Sequence, residues 1–176
     1  GAEGDYFGVS VSATNDKIIV GANADGDKGA YSGSVYVYDA NDLSAQPTKL
    51  TAFDGAEFDQ FGRTVAANAD KIIVAVEYDD DNGISSGSVY VYDANDLSAQ
   101  PTKLTAFDAA ADDAFGSSVA ATDDKIVVGA RNNDDKGRDS GSVYVYDAND
   151  LSATPTKLTA FDGDVTDYFG YSVAVG

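Results

Sequence analysis

Residues 32–54 read SGSVYVYDANDLSAQPTKLTAFD, and the same twenty-three letters return at residues 86–108. A third copy at residues 140–162 differs at one position, where Thr154 replaces Gln46. Phe-Gly pairs follow the same 54-residue period outside this stretch, at Phe7-Gly8, Phe61-Gly62, Phe115-Gly116 and Phe169-Gly170. Periods of this kind are typical of solenoids and propellers. The chain therefore contains three full repeats and the start of a fourth.

Each repeat holds four short segments with the composition of β-strands. In the first repeat these are FGVSVSA at 7–13, KIIVGA at 17–22, SVYVY at 34–38 and TKLTAF at 48–53. They are rich in Val, Ile, Tyr, Phe and Thr, and Gly or Asx interrupts every helical pattern. Thr14-Asn15-Asp16 suits a tight turn between the first two. Four antiparallel strands per repeat predict a β-propeller blade, whereas a parallel β-helix uses much shorter coils.

The side-chain pattern also favours blades. Val35-Tyr36-Val37-Tyr38 is apolar or aromatic on both faces, as a sheet between two neighbours requires. The fourth segment is more polar, which predicts an outer edge. We expect an all-β chain with blades at 1–54, 55–108 and 109–162, and the first strand of a fourth at 163–176. Because propellers typically have about four to eight blades, we expect further repeats or other copies of the chain to complete the ring.

The composition narrows the function classes. The 176 residues are 43% hydrophobic, which is enough for a sizeable core. The absence of Cys and His removes disulfides, zinc-thiolate sites and the commonest general base. The absence of Met leads us to expect a processed chain or a segment of a longer one. The first residues lack the pattern of a signal peptide, and no apolar run approaches the roughly 20 residues that span a bilayer, so no membrane insertion is expected.

The charge is strongly negative. Lys and Arg total 11 and Asp and Glu total 30, which gives a net charge of -19. Such a chain repels nucleic acid and anionic lipid and attracts cations and basic partners. Solubility in salty or extracellular surroundings is a second explanation of the same charge.

The pattern Phe-Gly-x-Ser-Val, then Ile-Val-Val-Gly-Ala, then Gly-Ser-Val-Tyr-Val-Tyr resembles the FG-GAP repeat along the whole chain. The resemblance implies a propeller like those of integrin α-subunits and bacterial surface proteins, located outside the cell or at its surface. The Pro of the family name is missing, however, and Asn23, Glu77 and Arg131 stand in its place. The integrin-type calcium loop between the first two strands is also too short here, so those calcium sites are not carried over.

Acidic residues gather instead in two other loops. Between the second and third segments the repeats share the frame Asx-x-Asp-x-Gly, with candidate calcium ligands at Asp25, Asp27, Asp79, Asp81, Asn133 and Asp135. Weaker candidates follow the fourth segment, at Asp59, Asp113 and Asp167. Both loops are expected on one face of the blades, where they could share a Ca²⁺ ion. The alternative is a solvated acidic loop whose Asp residues cap turns.

The link from Asp39 to Ala45 is expected on the opposite face, with Asx-turns and with Leu43 inserted into its own blade. Catalysis is not expected. Carboxylate pairs can hydrolyse glycosides, but every pair here is repeated in each blade, whereas a catalytic site is a single asymmetric set of residues.

Two functions from different classes remain. One is a non-enzymatic adhesion or binding module that presents the acidic loops to an extracellular protein or glycan. The other is a structural repeat protein that self-assembles into a filament or surface coat. The near-identical blades favour the self-assembling structural protein, and the loops that differ in sequence between repeats favour the binding module.

Overall fold

The computed structural model describes residues 3–176, and every regular element in that range is a β-strand. The strands form three antiparallel sheets of four, each in simple chain order. Blade 1 contains β1 Phe7–Ala13, β2 Lys17–Ala22, β3 Ser34–Asp39 and β4 Thr48–Leu50. Blade 2 contains β5 Val65–Ala67, β6 Lys71–Val76, β7 Ser88–Asp93 and β8 Thr102–Leu104. Blade 3 contains β9 Phe115–Ala121, β10 Lys125–Ala130, β11 Ser142–Asp147 and β12 Thr156–Leu158.

Local chemistry explains the strand limits. The hairpin between β1 and β2 closes where the Thr14 amide donates to the Lys17 carbonyl over 2.9 Å. The outer strand β4 ends at Leu50, three residues earlier than the sequence suggests. Ala52 is buried in the core and its carbonyl accepts a bond from the Gly55 amide, so the chain turns there. The other predicted strands of blade 1 are confirmed, with β3 one residue longer.

The blades pack face to face, and the middle blade is apolar on both sides. Ile72 and Val74 of β6 face blade 1, while Ile73 and Ala75 of the same strand face blade 3. Each inter-blade core also contains two tyrosines from the following blade. The period-2 alternation thus produces two separate cores, one on each side of blade 2.

The first strand of each blade lies at the inner rim, where it contacts the first strand of the next blade. One side-chain bond repeats at each step. The hydroxyl of Ser10 donates to the Gly62 carbonyl over 2.7 Å, and that of Ser118 donates to the Gly170 carbonyl over 2.7 Å. Thr64 makes the same bond to Gly116 over 3.0 Å. These bonds hold successive blades in the same relative arrangement.

Residues 163–176 contain no regular strand. Phe169 pairs with Gly141 of blade 3 through an isolated bridge, as Phe61 pairs with Gly33 of blade 1. The segment therefore begins as the start of blade 2 does, and its continuation into a fourth blade stays a prediction. Within residues 3–176 there is no helix of the length and apolar character needed to cross a membrane.

Candidate functional site

Two sets of loops meet on one face of the blades, and we call this surface the acidic face. It consists of the loops between second and third strands and the crossings between blades, at residues 23–33, 77–87, 131–141, 54–60, 108–114 and 162–168. The Phe58 amide donates to the Ala30 carbonyl over 2.8 Å, and the Gln60 amide donates to the Tyr31 carbonyl over 3.0 Å. The same two bonds recur at the other two positions, so the loop backbone is constant.

The three pairs of candidate calcium ligands between the second and third strands form backbone turns. Oδ1 of Asp79 accepts the Asp81 amide over 3.0 Å, and Oδ1 of Asp25 accepts the Asp27 amide over 3.2 Å. Asn133 makes the same turn with Asp135. These are Asx-turns, in which the side chain replaces a backbone acceptor.

A lysine of the outer strand lies at the centre of each acidic cluster. Nζ of Lys103 is 2.8 Å from Oδ2 of Asp79, 2.6 Å from Oδ2 of Asp81 and 2.8 Å from Oδ2 of Asp54. Asp54 belongs to the preceding blade, and the Tyr90 hydroxyl donates to its other oxygen. This lysine was not among the site residues predicted from the sequence.

The equivalent lysines make related contacts. Nζ of Lys157 is 2.6 Å from Asp108 of the preceding blade and 2.6 Å from Asp135. Among the residues that the structure describes, Lys49 forms ion pairs only within its own blade, with Nζ 2.8 Å from Asp25 and 2.6 Å from Asp27. A signal for these residues existed in the sequence: three of the 11 basic residues occupy one repeated position beside repeated aspartates.

The ion pairs shift the pKa values of both partners. Burial works against the charged form of Asp54, but bonds from Lys103 and Tyr90 outweigh it and lower the pKa of Asp54. Burial likewise opposes the charge on Lys103, and its bonds to the aspartates raise the pKa of that ammonium. Both groups are therefore charged at neutral pH, and the acidic clusters carry an internal cation.

The weaker candidates cap the crossings between blades. Oδ2 of Asp59 accepts the Ala56 amide over 2.7 Å, and Oδ2 of Asp167 accepts the Asp164 amide over 2.8 Å. Asp113 accepts the Ala110 amide over 2.9 Å. Burial raises the pKa of Asp59 to about 6, with the nearby charge of Asp79 acting in the same direction.

Calcium binding by these carboxylates stays a prediction. Among residues 3–176, no three His, Cys, Asp or Glu side chains are grouped so that they could hold a metal ion. The Lys103 ammonium already contacts three carboxylates, so a calcium ion at that position would have to displace it.

An aromatic pair is exposed on the acidic face between blades 1 and 2. The rings of Tyr31 and Phe58 stack with centroids 5.9 Å apart and planes 17° apart. The side chains are 47% and 58% exposed. Both residues have left-handed backbones, with φ of 55° and 70°. Bulky residues seldom adopt this conformation, and such strain concentrates at binding and catalytic sites.

The positions of this pair vary between repeats while the backbone does not. Ser85 and Asp112 occupy them between blades 2 and 3, and Asp139 and Thr166 occupy them on blade 3. All four retain positive φ, between 52° and 68°. The acidic face thus offers different side chains on one repeated frame.

A buried ion-pair group also breaks the repeat symmetry. The carboxylate of Glu77 is fully buried, with Oε2 at 2.8 Å from Nε of Arg63 and Oε1 at 2.5 Å from a terminal nitrogen of Arg131. In the sequence, Glu77 and Arg131 stand out only as departures from a family pattern. Their opposite charges at equivalent repeat positions were the feature of the sequence that could have predicted an ion pair between them.

The opposite face carries the expected Asx-turns. Oδ1 of Asp39 accepts the Asn41 amide over 2.8 Å, and Oδ1 of Asp42 accepts the Ser44 amide over 3.1 Å. The expectation that Leu43 inserts into its own blade is wrong, because its side chain is exposed. The equivalent Leu97 instead packs against the core shared with the preceding blade.

Comparison with known families identifies the repeat. A family model described as FG-GAP repeat matches residues 1–38, 45–92 and 99–146. Each match begins upstream of the Phe-Gly pair of one repeat and extends to its third strand. A search of curated proteins finds no match.

Proposed function

Because the chain belongs to the FG-GAP repeat family, we propose that it is a non-enzymatic propeller module that binds an extracellular protein or glycan through its acidic face. FG-GAP repeats are generally non-enzymatic and are typical of extracellular proteins, and their propeller architecture suggests a binding module.

The stacked Tyr31 and Phe58 rings carry the proposal. Exposed aromatic rings are enriched at interfaces because they bury a large area with little loss of side-chain entropy. The constant backbone bonds beneath these rings fix their orientation before binding.

The surrounding charge favours basic partners. Asp27, Asp81 and Asp135 are each about half exposed on the same face. With a net charge of -19, the chain steers positively charged groups toward these loops at low salt. We therefore expect a partner that offers an apolar or sugar-ring surface beside basic groups.

An array of glycans and extracellular matrix proteins tests the proposal. The double variant Tyr31→Ser and Phe58→Asp adopts the residues of the next inter-blade position, whose backbone is the same. We expect the wild-type chain to bind a defined subset of the array and this variant to lose it while melting normally. An array without hits, or hits that survive in the variant, would contradict the proposal.

A matched gain-of-function control is available. Ser85→Tyr and Asp112→Phe transfer the aromatic pair to the position between blades 2 and 3, where both backbones already have positive φ. In the background of the first variant, this transfer should restore binding to the same array members.

A further inference from the structure

Two contacts between blades have the same construction. In each, one blade presents what we call its downstream face to the next blade, which presents its upstream face. The downstream face of blade 1 includes Val35, Val37, Leu50 and Ala52, and the upstream face of blade 2 includes Phe61, Ile72, Tyr90 and Tyr92. Blades 2 and 3 repeat the contact with the equivalent residues. Among residues 3–176, no further blade covers the downstream face of blade 3 or the upstream face of blade 1.

The downstream face of blade 3 has the same residues that form the contacts on blades 1 and 2. Residues 140–162 copy residues 32–54 except at Thr154, so the side chains that fill the other two contacts are present. Leu50 and Leu104 are 6% and 7% exposed in their contacts, whereas Leu158 is 44% exposed. Phe161 is 95% exposed.

The upstream face of blade 1 has the residues that form the other side of this contact on blades 2 and 3. Phe61 and Phe115 are fully buried in their contacts, and the equivalent Phe7 is 52% exposed. Leu97 packs against the core between blades 1 and 2, and the equivalent Leu43 is 66% exposed.

The polar residues of the inter-blade contact are also present, with the acceptor at one end of the chain and the donors at the other. Asp54 receives bonds from Tyr90 and Lys103 of the next blade, and Asp108 receives them from Tyr144 over 2.7 Å and Lys157 over 2.6 Å. Asp162 is the third copy of this aspartate and has no such partner within residues 3–176. Within residues 3–176, Tyr36 and Lys49 of blade 1 bond to aspartates of their own blade, at Asp25 and Asp27.

The aromatic contacts match as well. Phe53 meets Tyr90 edge to face across the first contact at 5.6 Å, and Phe107 meets Tyr144 across the second at 5.9 Å. Phe161 is the next copy of this phenylalanine, and Tyr36 on blade 1 is the next copy of the tyrosine. Each end thus holds one partner of an aromatic pair formed twice inside the chain.

The geometry points to a second copy of this chain as the occupant of both ends: the downstream face of blade 3 packs on the upstream face of blade 1 of another copy. In this contact Asp162 meets Tyr36 and Lys49, Phe161 meets Tyr36, and Leu43 packs against blade 3. The contact is heterologous, so it generates a closed ring or an open filament. Two copies contribute six blades, which lies within the usual propeller range of about four to eight.

One rearrangement accompanies the contact. Residues 165–170 of the first copy lie on blade 3 as residues 57–62 lie on blade 1, and residues 3–8 of the second copy are their equivalents. One of the two segments must therefore leave the contact. A chain that ends at Asp162 removes this competition and should associate at lower concentration than residues 1–176. An association that weakens on this removal would overturn the proposed geometry.

Sedimentation equilibrium of the 176-residue chain gives the first test. We expect species at multiples of the 18.2 kDa chain mass, beginning with twice that mass. A monomer at every concentration would overturn the proposal and would leave these faces to further repeats or an unrelated partner.

Two variants, each altered at one end, test the head-to-tail geometry. Phe161→Asp with Asp162→Lys blocks the downstream face. Val11→Asp with Leu43→Asp blocks the upstream face, because Val65, the equivalent of Val11 in blade 2, packs against the core between blades 1 and 2. All four side chains are exposed. Each variant alone should associate at least about tenfold more weakly, because apolar anchors are lost and like charges face each other. Mixed in equal amounts, they retain one intact contact and should form a two-chain complex.

The mixing experiment distinguishes this contact from a symmetric dimer. In a symmetric dimer, one variant would associate normally and mixing would restore nothing, and that result would overturn the proposal. Ile84→Asp is the matched control, since Ile84 is exposed on the acidic face, away from both ends. It should associate like the wild-type chain.

Discussion

Lys103 donates from Nζ to Oδ2 of Asp54 over 2.8 Å, and the two residues belong to successive blades. Lys157 and Asp108 repeat the relationship. Each copy of the 23-residue stretch contains both the lysine and the aspartate, so the lysine of one copy meets the aspartate of the copy before it. Faithful copying of the stretch therefore preserves the contact between blades, while the loops between the copies can vary.

Replacing one copy of this aspartate should destabilise the fold, and replacing another should not. Asp54→Asn removes the charged partner of Lys103 and should lower the free energy of unfolding by about 1 kcal/mol. Bonds to charged groups contribute roughly 1.5–3 kcal/mol, and the partial exposure of Asp54 reduces that figure. Asp162→Asn makes the same change in the same local sequence, where residues 3–176 provide no inter-blade partner. Urea denaturation of the monomeric chains measures both.

An equal loss in the two variants would show that the aspartate acts within its own turn. An unchanged midpoint for Asp54→Asn would show that the inter-blade ion pair contributes nothing to stability.

The same pairs predict acid sensitivity. Bonds from lysine and tyrosine overcome the effect of burial and lower the pKa of Asp54 and Asp108 below 3.8. A lowered pKa in the folded state stabilises the protein above pH 3.8, and that stabilisation is lost as the pH falls through the folded pKa. Thermal melting between pH 5 and pH 2 should therefore show a steep fall that is shallower in Asp54→Asn. Parallel curves for both chains would contradict the assignment.

The contribution of Asp59 to stability should have the opposite pH dependence. Burial raises its folded pKa to about 6 from the ordinary 3.8, so its contribution to stability decreases as the pH rises through that interval. Asp59→Asn keeps an acceptor for the Ala56 amide and removes the titration. The melting temperature of the variant relative to wild type should become more positive from pH 4 to pH 7. A constant difference would mean that Asp59 titrates normally.

The calcium prediction can be tested through the lysine. Lys103→Gln removes the ammonium from among Asp54, Asp79 and Asp81 and leaves three carboxylates close together. Hard cations favour such oxygen clusters, so Ca²⁺ should raise the melting temperature of this variant more than that of wild type. Lys71→Gln, away from the cluster, is the control. Equal shifts in all three chains would indicate nonspecific screening by the cation.

The strand pattern could be predicted because it depends on local sequence. The bounds of β1 and β2 follow from their Val- and Ile-rich composition and the polar turn at residues 14–16, and they agree with the structure. The outer strand β4 is shorter than predicted because Ala52 packs into the inter-blade core and the chain turns after it. That outcome depends on a neighbouring blade, so the period of one strand does not reveal it.

The candidate site was harder to derive for the same reason. Acidic loops were recognised, but the partner of Asp54 lies 49 residues away in the next blade. Leu43 was assigned to its own blade because the sequence does not show that its equivalents reach backward. The buried Glu77 draws its two arginines from different blades, and only a three-dimensional arrangement brings them together.

Hydrogen–deuterium exchange of the chain, alone and with the strongest hit from the binding array, tests the central claim most directly. The proposed binding face predicts slower exchange at residues 30–33 and 57–60, where the backbone supports Tyr31 and Phe58. Protection confined to residues 41–45 and 95–99 would place the partner on the opposite face. That result would contradict the assignment of binding to the acidic face.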